Sequence, residues 1–160
     1  KVYEVVVRPH PQQVRLQQDK MDRLKERYAK NPDIDIQTDF SSNSTVFEAD
    51  LLVTDWSGIA YEYAFTTKKP VLFVDPEYQK IDTVPINIWM RDVIGDRLDP
   101  TKTEETESKV RNLLEQKDAY HDRIEKFVEE YVYNLGNSAE IGAKYIVQAV
   151  QEQIKKAKEQ

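Results

Sequence analysis

Apolar residues fall in short blocks along this chain, and their spacing changes from block to block. Residues 2–8 are rich in Val and Tyr and stop at Pro9, which predicts a β-strand. Val14, Met21, Leu24 and Tyr28 follow at steps of seven, three and four, predicting a helix over residues 12–29 that Asn31-Pro32 ends. Ile34 and Ile36 mark a short strand, residues 39–44 a polar loop, and Ser44 or Thr45 can cap one helical turn before Ala49. Leu51-Leu52-Val53 then breaks at Thr54-Asp55 into the small polar turn Ser57-Gly58. An amphipathic helix follows, and Lys69-Pro70 ends it before a fourth apolar run, Val71-Leu72-Phe73-Val74. Residues 75–92, with Pro76 and Pro85 inside them, read as irregular up to Leu98-Asp99-Pro100; a stretch of that length within a compact domain is usually functional.

The last third reads as helical. Thr101 to Glu104 has the capping-box pattern, and Val110, Leu113, Leu114, Ile124, Phe127, Val128 and Tyr131 supply an apolar face, with a break near residues 116–119. Gly136 ends this stretch. Asn137 to Glu140 resembles a second capping box, opening a helix with Ile141, Tyr145, Ile146, Val150 and Ile154 on one side and a fraying charged tail from Lys155. Strand, helix, strand repeated in this order implies an α/β fold of three layers: four or five parallel strands with helices on both faces. Ligands bind such sheets at the carboxyl ends of the strands. That edge carries residues 8–11, 37–42, 54–58 and 75–78.

At 160 residues the natural reading is one domain, residues 1–160. An opening directly in a strand, without a leader pattern, suggests a piece of a longer protein. No apolar run is long enough to span a bilayer. The chain has no cysteine, which removes disulfides, thiolate catalysis and zinc–sulfur sites and fits a cytoplasmic location. A net charge of −6 argues against nucleic acid as the main ligand but permits one locally positive pocket.

Two turns on the ligand edge hold the candidate chemistry. In Arg8-Pro9-His10-Pro11, an imidazole suited to proton transfer stands beside a guanidinium that can fix a phosphate oxygen, on a loop stiffened by two prolines. The plain alternative is a strand-end histidine bonded to the next loop. In Thr54-Asp55-Trp56-Ser57-Gly58-Ile59, unpaired amides at a helix start favour an anion such as a diphosphate. Ser57 can cap that helix and donate its hydroxyl, and Gly58 lets a ligand approach the backbone. Here the alternative is an ordinary strand–helix turn. Asp55 would suit a metal only with further acids near the first strand, where Arg8-Pro-His10 stands instead, so no metal is expected. Glu62, five residues past Ser57, can hold hydroxyls of a ribose or polyol, or be a surface glutamate. His121, mid-helix among charged neighbours, reads as a solvated surface residue.

With Arg8-Pro-His10-Pro11, the run Ala49 to Ala64 (Ala-Asp-Leu-Leu-Val-Thr-Asp-Trp-Ser-Gly-Ile-Ala-Tyr-Glu-Tyr-Ala) and Lys69-Pro70-Val71, the chain resembles the carboxyl-terminal half of CDP-glycerol glycerophosphotransferases, the teichoic-acid and capsule polymerases and primases. That resemblance implies the Rossmann-like donor domain of a two-domain GT-B enzyme. It matches His10 to a histidine implicated in catalysis at the donor diphosphate, and Ser57 with its helix to the donor-phosphate site. Two positions depart from the family's pattern: Trp56 stands for Tyr and Gly58 for a second Ser. Ser57-Gly58 with Glu62 is also similar to the arrangement of UDP-sugar epimerases and GT-B sugar transferases, where the acid holds the ribose.

The expected function is therefore donor binding in a transferase, with CDP-glycerol or a related nucleotide-activated donor. His10 and Arg8 act at the reaction, while Thr54, Asp55, Ser57, Gly58, Ile59 and Glu62 hold the donor. Neither cofactor nor metal is expected. The polyol-phosphate or glycan acceptor would belong to an absent amino-terminal domain, so this piece alone should turn over little. The parent would be peripheral to the membrane on its cytoplasmic face. Half of a nucleotide-sugar glycosyltransferase or epimerase, and a non-catalytic nucleotide-sensing or docking module, are the alternatives.

Overall fold

The computed structural model describes residues 3–55, 57–75 and 86–158, with side chains from residue 90 onward in the last stretch. Trp56, Pro76, Tyr78 and Pro85, and the side chain of Trp89, lie outside the described residues. The chain divides into two compact units, Lys1–Ala49 and Asp50–Gln160. All neighbouring strands are parallel, as the βαβ order requires. Among the described residues they hydrogen-bond as a pair in the first unit and a triple in the second, rather than as one ladder of four or five.

In the first unit, β1 (Val5–Val7) pairs with β2 (Ile34–Ile36), Val5 opposite Ile34 and Val7 opposite Ile36. The single helix expected over residues 12–29 is two: α1 (Pro11–Leu16) and α2 (Gln18–Tyr28), separated by Gln17 at φ −131 and ψ 46. Between Val14 and Met21 no apolar side chain reaches the core, since Leu16 is 74% exposed, so nothing holds that turn to one helix axis. Helix α2 packs on β2, and α3 (Ser44–Glu48) follows the polar loop.

In the second unit, β4 (Val71–Val74) lies between β3 (Leu52–Thr54) and β5 (Gly95–Leu98). A central parallel strand is covered on both faces, which explains why Val71, Leu72 and Phe73 are all fully buried. Gly95 faces Val71 in the ladder, and a Cβ there would lie 1.8 Å from the Val71 carbonyl oxygen, so only glycine fits. Helix α4 (Ile59–Thr67) packs on β3 and supplies Ala60, Tyr63 and Ala64 to the core. Lys68, at φ 58 in the left-handed region, terminates it before Lys69-Pro70, as expected.

Residues 86–92, read as irregular, belong to α5 (Ile86–Ile94), packed on β4 and β5. Ile86, Met90 and Ile94 recur every fourth residue, a helical period that the upstream prolines obscured. The expected capping box at Thr101 does not form. Thr101 instead gives both its N–H (2.9 Å) and its hydroxyl (2.7 Å) to the Asp99 carboxylate. A 3-10 turn (Thr103–Glu105) then leads into α6 (Thr106–Glu115). The expected break falls at Gln116, after which α7 (Lys117–Tyr131) packs on α4 and α5 and buries Ile124, Phe127 and Val128. Helix α8 (Ser138–Lys158) continues through the lysine-rich tail rather than fraying from Lys155.

Candidate functional site

The β3–α4 turn gathers Thr54, Asp55, Ser57, Gly58, Ile59 and Glu62 within one helical turn of the strand's carboxyl end. Its hydrogen bonds sort the available donors from the spent ones. The Ser57 N–H already donates to the Asp55 carbonyl at 2.9 Å, Ala60 N–H to the Ser57 carbonyl at 3.3 Å, and Tyr61 N–H to the Gly58 carbonyl at 3.1 Å. Among the described residues, the amides of Gly58 and Ile59 and the hydroxyl of Ser57 make no such bond. The expected Ser57 cap is therefore corrected: Gly58 occupies the N-cap position, without a side-chain cap bond, and the backbone N–H of Ser57 closes a turn onto the Asp55 carbonyl. Two amides and one hydroxyl at the positive end of a helix dipole form a short row of donors toward an anion.

Gly58 itself has φ −61 and ψ −26, ordinary right-handed backbone, and among the described residues nothing lies within 4 Å of where its Cβ would stand. The backbone therefore does not require glycine. Glu62 is exposed in the first turn of α4, where a carboxylate stabilises the helix whether or not a ligand is present. Asp55 is exposed, and among the described residues no group of three or more acidic or histidine side chains is placed to hold a metal ion.

The β1–α1 turn presents His10 and Arg8 in the first unit. His10 is exposed and caps α1: its Nδ1 accepts the Gln12 N–H at 3.2 Å, and Pro11 takes the first helical position, where its missing N–H costs nothing. With Nδ1 an acceptor, the neutral imidazole carries its proton on Nε2, which makes that atom a hydrogen-bond donor. Arg8 reaches across to the following loop. Its guanidinium donates to Thr45 Oγ1 (3.2 Å), the Ser42 carbonyl (2.9 Å) and Asn43 Oδ1 (3.2 Å), and lies 5.8 Å from the Phe40 ring centroid. Thr45 in turn donates to Gln37 Oε1 at 2.8 Å. Arg8 is thus built into the support of the strand end that presents His10.

Sequence reasoning passed over Asp75 and Arg91. At the carboxyl end of β4, Asp75 Oδ2 accepts from Arg91 Nη1 at 3.1 Å, with both side chains buried. The Arg91 guanidinium lies 4.7 Å from the Phe73 ring centroid, and the Asp75 N–H donates to the Leu98 carbonyl at 3.1 Å. This pair pins the end of the central strand, on the edge where ligands bind in such sheets. The only sequence signal was an acid directly after a fully apolar strand.

Parallel strands joined by helical crossovers, with polar turns at their carboxyl ends, define a Rossmann-like α/β protein. Within that class the assignment is direct. The family described as CDP-Glycerol:Poly(glycerophosphate) glycerophosphotransferase matches residues 1–150, and this chain belongs to it. Membership supports a transferase of the glycerophosphotransferase type. No curated protein matches the chain, and no solved structure does. Among the described residues no helix is long and apolar enough to cross a membrane.

Proposed function

We propose that this chain is the donor-binding half of an enzyme that moves glycerol phosphate from CDP-glycerol to a polyol-phosphate or glycan acceptor, in building a cell-wall or capsule polymer. The parent enzyme would work on the cytoplasmic face of the membrane, with its acceptor held by an amino-terminal domain, and the isolated chain would bind donor weakly. The observation that carries this reading is the uncommitted donor set of Ser57, Gly58 and Ile59, lying within the family match.

In the reaction, an acceptor hydroxyl oxygen bonds to the β-phosphorus as the bond from that phosphorus to the bridging oxygen breaks. CMP leaves, and the hydroxyl proton passes to solvent. Fixed N–H and O–H donors stabilise the charge that builds on the diphosphate oxygens. His10 Nε2–H suits the role of donor to a phosphate oxygen or acid to the leaving group better than that of base. Arg8 supports the His10 loop and adds positive charge, while Thr54 and Asp55 shape the turn and Glu62 accepts from donor hydroxyls. Glu62 with Ser57-Gly58 also favours a second reading, a nucleotide-sugar donor.

Titration by NMR with CMP, CDP-glycerol and UDP-GlcNAc separates these readings. The expected result is movement of the Gly58 and Ile59 amides with the cytidine ligands, the bonded Ser57 amide moving less. A preference for the uridine sugar supports the second reading, and no response at millimolar ligand refutes donor binding in favour of a docking module. In the full-length parent, His10→Asn keeps an acceptor for the Gln12 N–H but removes the Nε2 donor. Transfer should fall at least tenfold with the fold intact; near-normal turnover would refute the role of His10.

A further inference from the structure

Val71, Leu72 and Phe73 of β4 are apolar and fully buried, yet the strand's carboxyl end is a carboxylate whose side chain has no exposed surface. Asp75 meets Arg91 of α5, itself only 3% exposed, at 3.1 Å. Taking two charges out of water is expensive, and an apolar pair of similar volume often holds a fold as well or better. The surroundings would suit such a pair: the Phe73 ring beside Arg91 and the Leu98 residue bonded to Asp75 are both buried and apolar. Stability is therefore a poor account of this ion pair. Its place in the sheet is a better one. A fully buried carboxylate cannot meet a ligand, so what the pair can fix is backbone. The Asp75 N–H holds the end of β4 to the Leu98 carbonyl on the β5 side. On the other side, Phe73 lies level with Thr54, the last residue of β3. Arg91 bridges the two by pairing with Asp75 while its guanidinium lies 4.7 Å from the Phe73 ring centroid.

We propose that Asp75 and Arg91 are positioning residues for the β3–α4 turn. The buried pair sets the height of the β4 carboxyl end. Through the rung between Phe73 and Thr54 it fixes where the Ser57, Gly58 and Ile59 donors stand. The purpose of that positioning rests on the donor-binding reading above; the geometry does not. Charge-assisted hydrogen bonds have a preferred length and direction, whereas apolar contacts are non-directional. A core rebuilt from apolar residues accordingly loses uniqueness before it loses stability. At most places in a fold that loss is harmless. At a row of N–H and O–H donors it is not, because a hydrogen bond weakens steeply as its angle departs from the line.

Two variants of the 160-residue chain move stability and positioning in opposite directions. Asp75→Asn keeps an acceptor of the same shape for Arg91 but removes the countercharge, so it should unfold at a lower temperature and keep the turn. Asp75→Val with Arg91→Met replaces both charges by apolar side chains. It should unfold no earlier than the unsubstituted chain and loosen the turn. Hydrogen exchange reads the turn without a ligand, against Leu72 in the centre of β4 as the measure of global opening. The bonded amides of Ser57, Ala60 and Tyr61 should exchange about tenfold faster in the double variant and near the original rate in Asp75→Asn. Titration with CDP-glycerol, followed at the Ile59 amide, should show affinity falling in the double variant and holding in Asp75→Asn. Unchanged exchange at the turn in the double variant would overturn the proposal. So would a double variant that unfolds before Asp75→Asn, or turn protection that follows the unfolding temperature in both, since a merely structural pair predicts that order. An unsubstituted chain that ignores CDP-glycerol refutes the donor reading alone, and the exchange comparison still decides the role of the pair.

Discussion

The two turns with the candidate chemistry rest on supports of different construction. Behind the Ser57 turn stands an apolar core: Tyr63, Val71, Leu72, Phe73, Ile94, Leu113 and Ile124 have no measurable exposure. Behind the His10 turn, Met21 is the single buried apolar side chain among the described residues of Lys1–Ala49, and Val5 and Val6 are each more than 40% exposed. Polar contacts organise that unit: the Arg8 contacts, Gln37 with Thr45, and Lys25 with Thr38 at 3.0 Å. Apolar burial supplies free energy without direction, whereas a hydrogen bond nets only about 1 kcal/mol but fixes geometry. A unit held mainly by polar contacts presents His10 in a defined pose yet opens at low cost. Native-state hydrogen exchange should therefore find the β1 and β2 amides exchanging before those of β4.

The largest expected effect tests the core side. Gly95→Ala drives a methyl into the Val71 carbonyl, and backbone cannot move aside as a side chain does. We expect a loss on the order of 4–5 kcal/mol, the exceptional end for single substitutions, read by thermal or denaturant unfolding. A small loss would mean that β5 shifts freely against β4, and the contrast between the units would weaken. Asp75→Ala comes next. It takes the Asp75 carboxylate away from the buried Arg91 guanidinium, at a cost of about 3 kcal/mol or more. Asp75→Ala combined with Arg91→Leu should recover part of that loss, because removing one member of a buried ion pair costs more than replacing both.

On the polar side the effect is smaller and local. Arg8→Ala removes two hydrogen bonds to the loop before α3 and one to Thr45 in its first turn, and should cost about 1–2 kcal/mol, since the freed groups regain water. Exchange should quicken over residues 39–48 and leave β4 unchanged; uniform quickening would show that the units do not differ in support. Asp39 in this loop accepts the N–H (2.9 Å) and the hydroxyl (3.0 Å) of Ser41, and these bonds hold its carboxyl below the usual range. A depressed native value means that the contribution is present above the ordinary carboxylate value and fades as pH falls through the native one. Loop protection should accordingly weaken in acid, as proton-detected exchange against pH would record.

The sequence revealed most where apolar period and punctuation agreed. Strand, turn and helix around Ser57, the stop at Lys69-Pro70 and the break at Gln116 all follow from local spacing. Errors arose where a polar side chain had two possible partners. Thr101 matched a capping box, but its side chain bonds Asp99. Local pattern carries no information on which competing acceptor wins. Arg8 suited a phosphate by type, yet its partners in the structure are Ser42, Asn43 and Thr45, more than thirty residues along the chain. Gly95 and the Asp75–Arg91 pair were invisible for the same reason: each is defined by a neighbour distant in sequence.

Gly58 gives the smallest effect on stability and the sharpest test of the donor site. The pattern that the chain resembles has a second serine here, and among the described residues nothing blocks one in this ordinary helical backbone. Gly58→Ser should change stability by less than about 0.5 kcal/mol. If Ser57, Gly58 and Ile59 cradle a phosphate, the added hydroxyl supplies one more donor, worth about 1 kcal/mol or several-fold in affinity. Titration of the variant with CDP-glycerol, followed at the Ile59 amide, measures it against the parent. Weaker binding at unchanged stability would carry the opposite lesson. The space beside Gly58 would then be occupied by the ligand itself, glycine would be kept for close backbone approach, and the two-serine turn would be the wrong template for the donor of this protein.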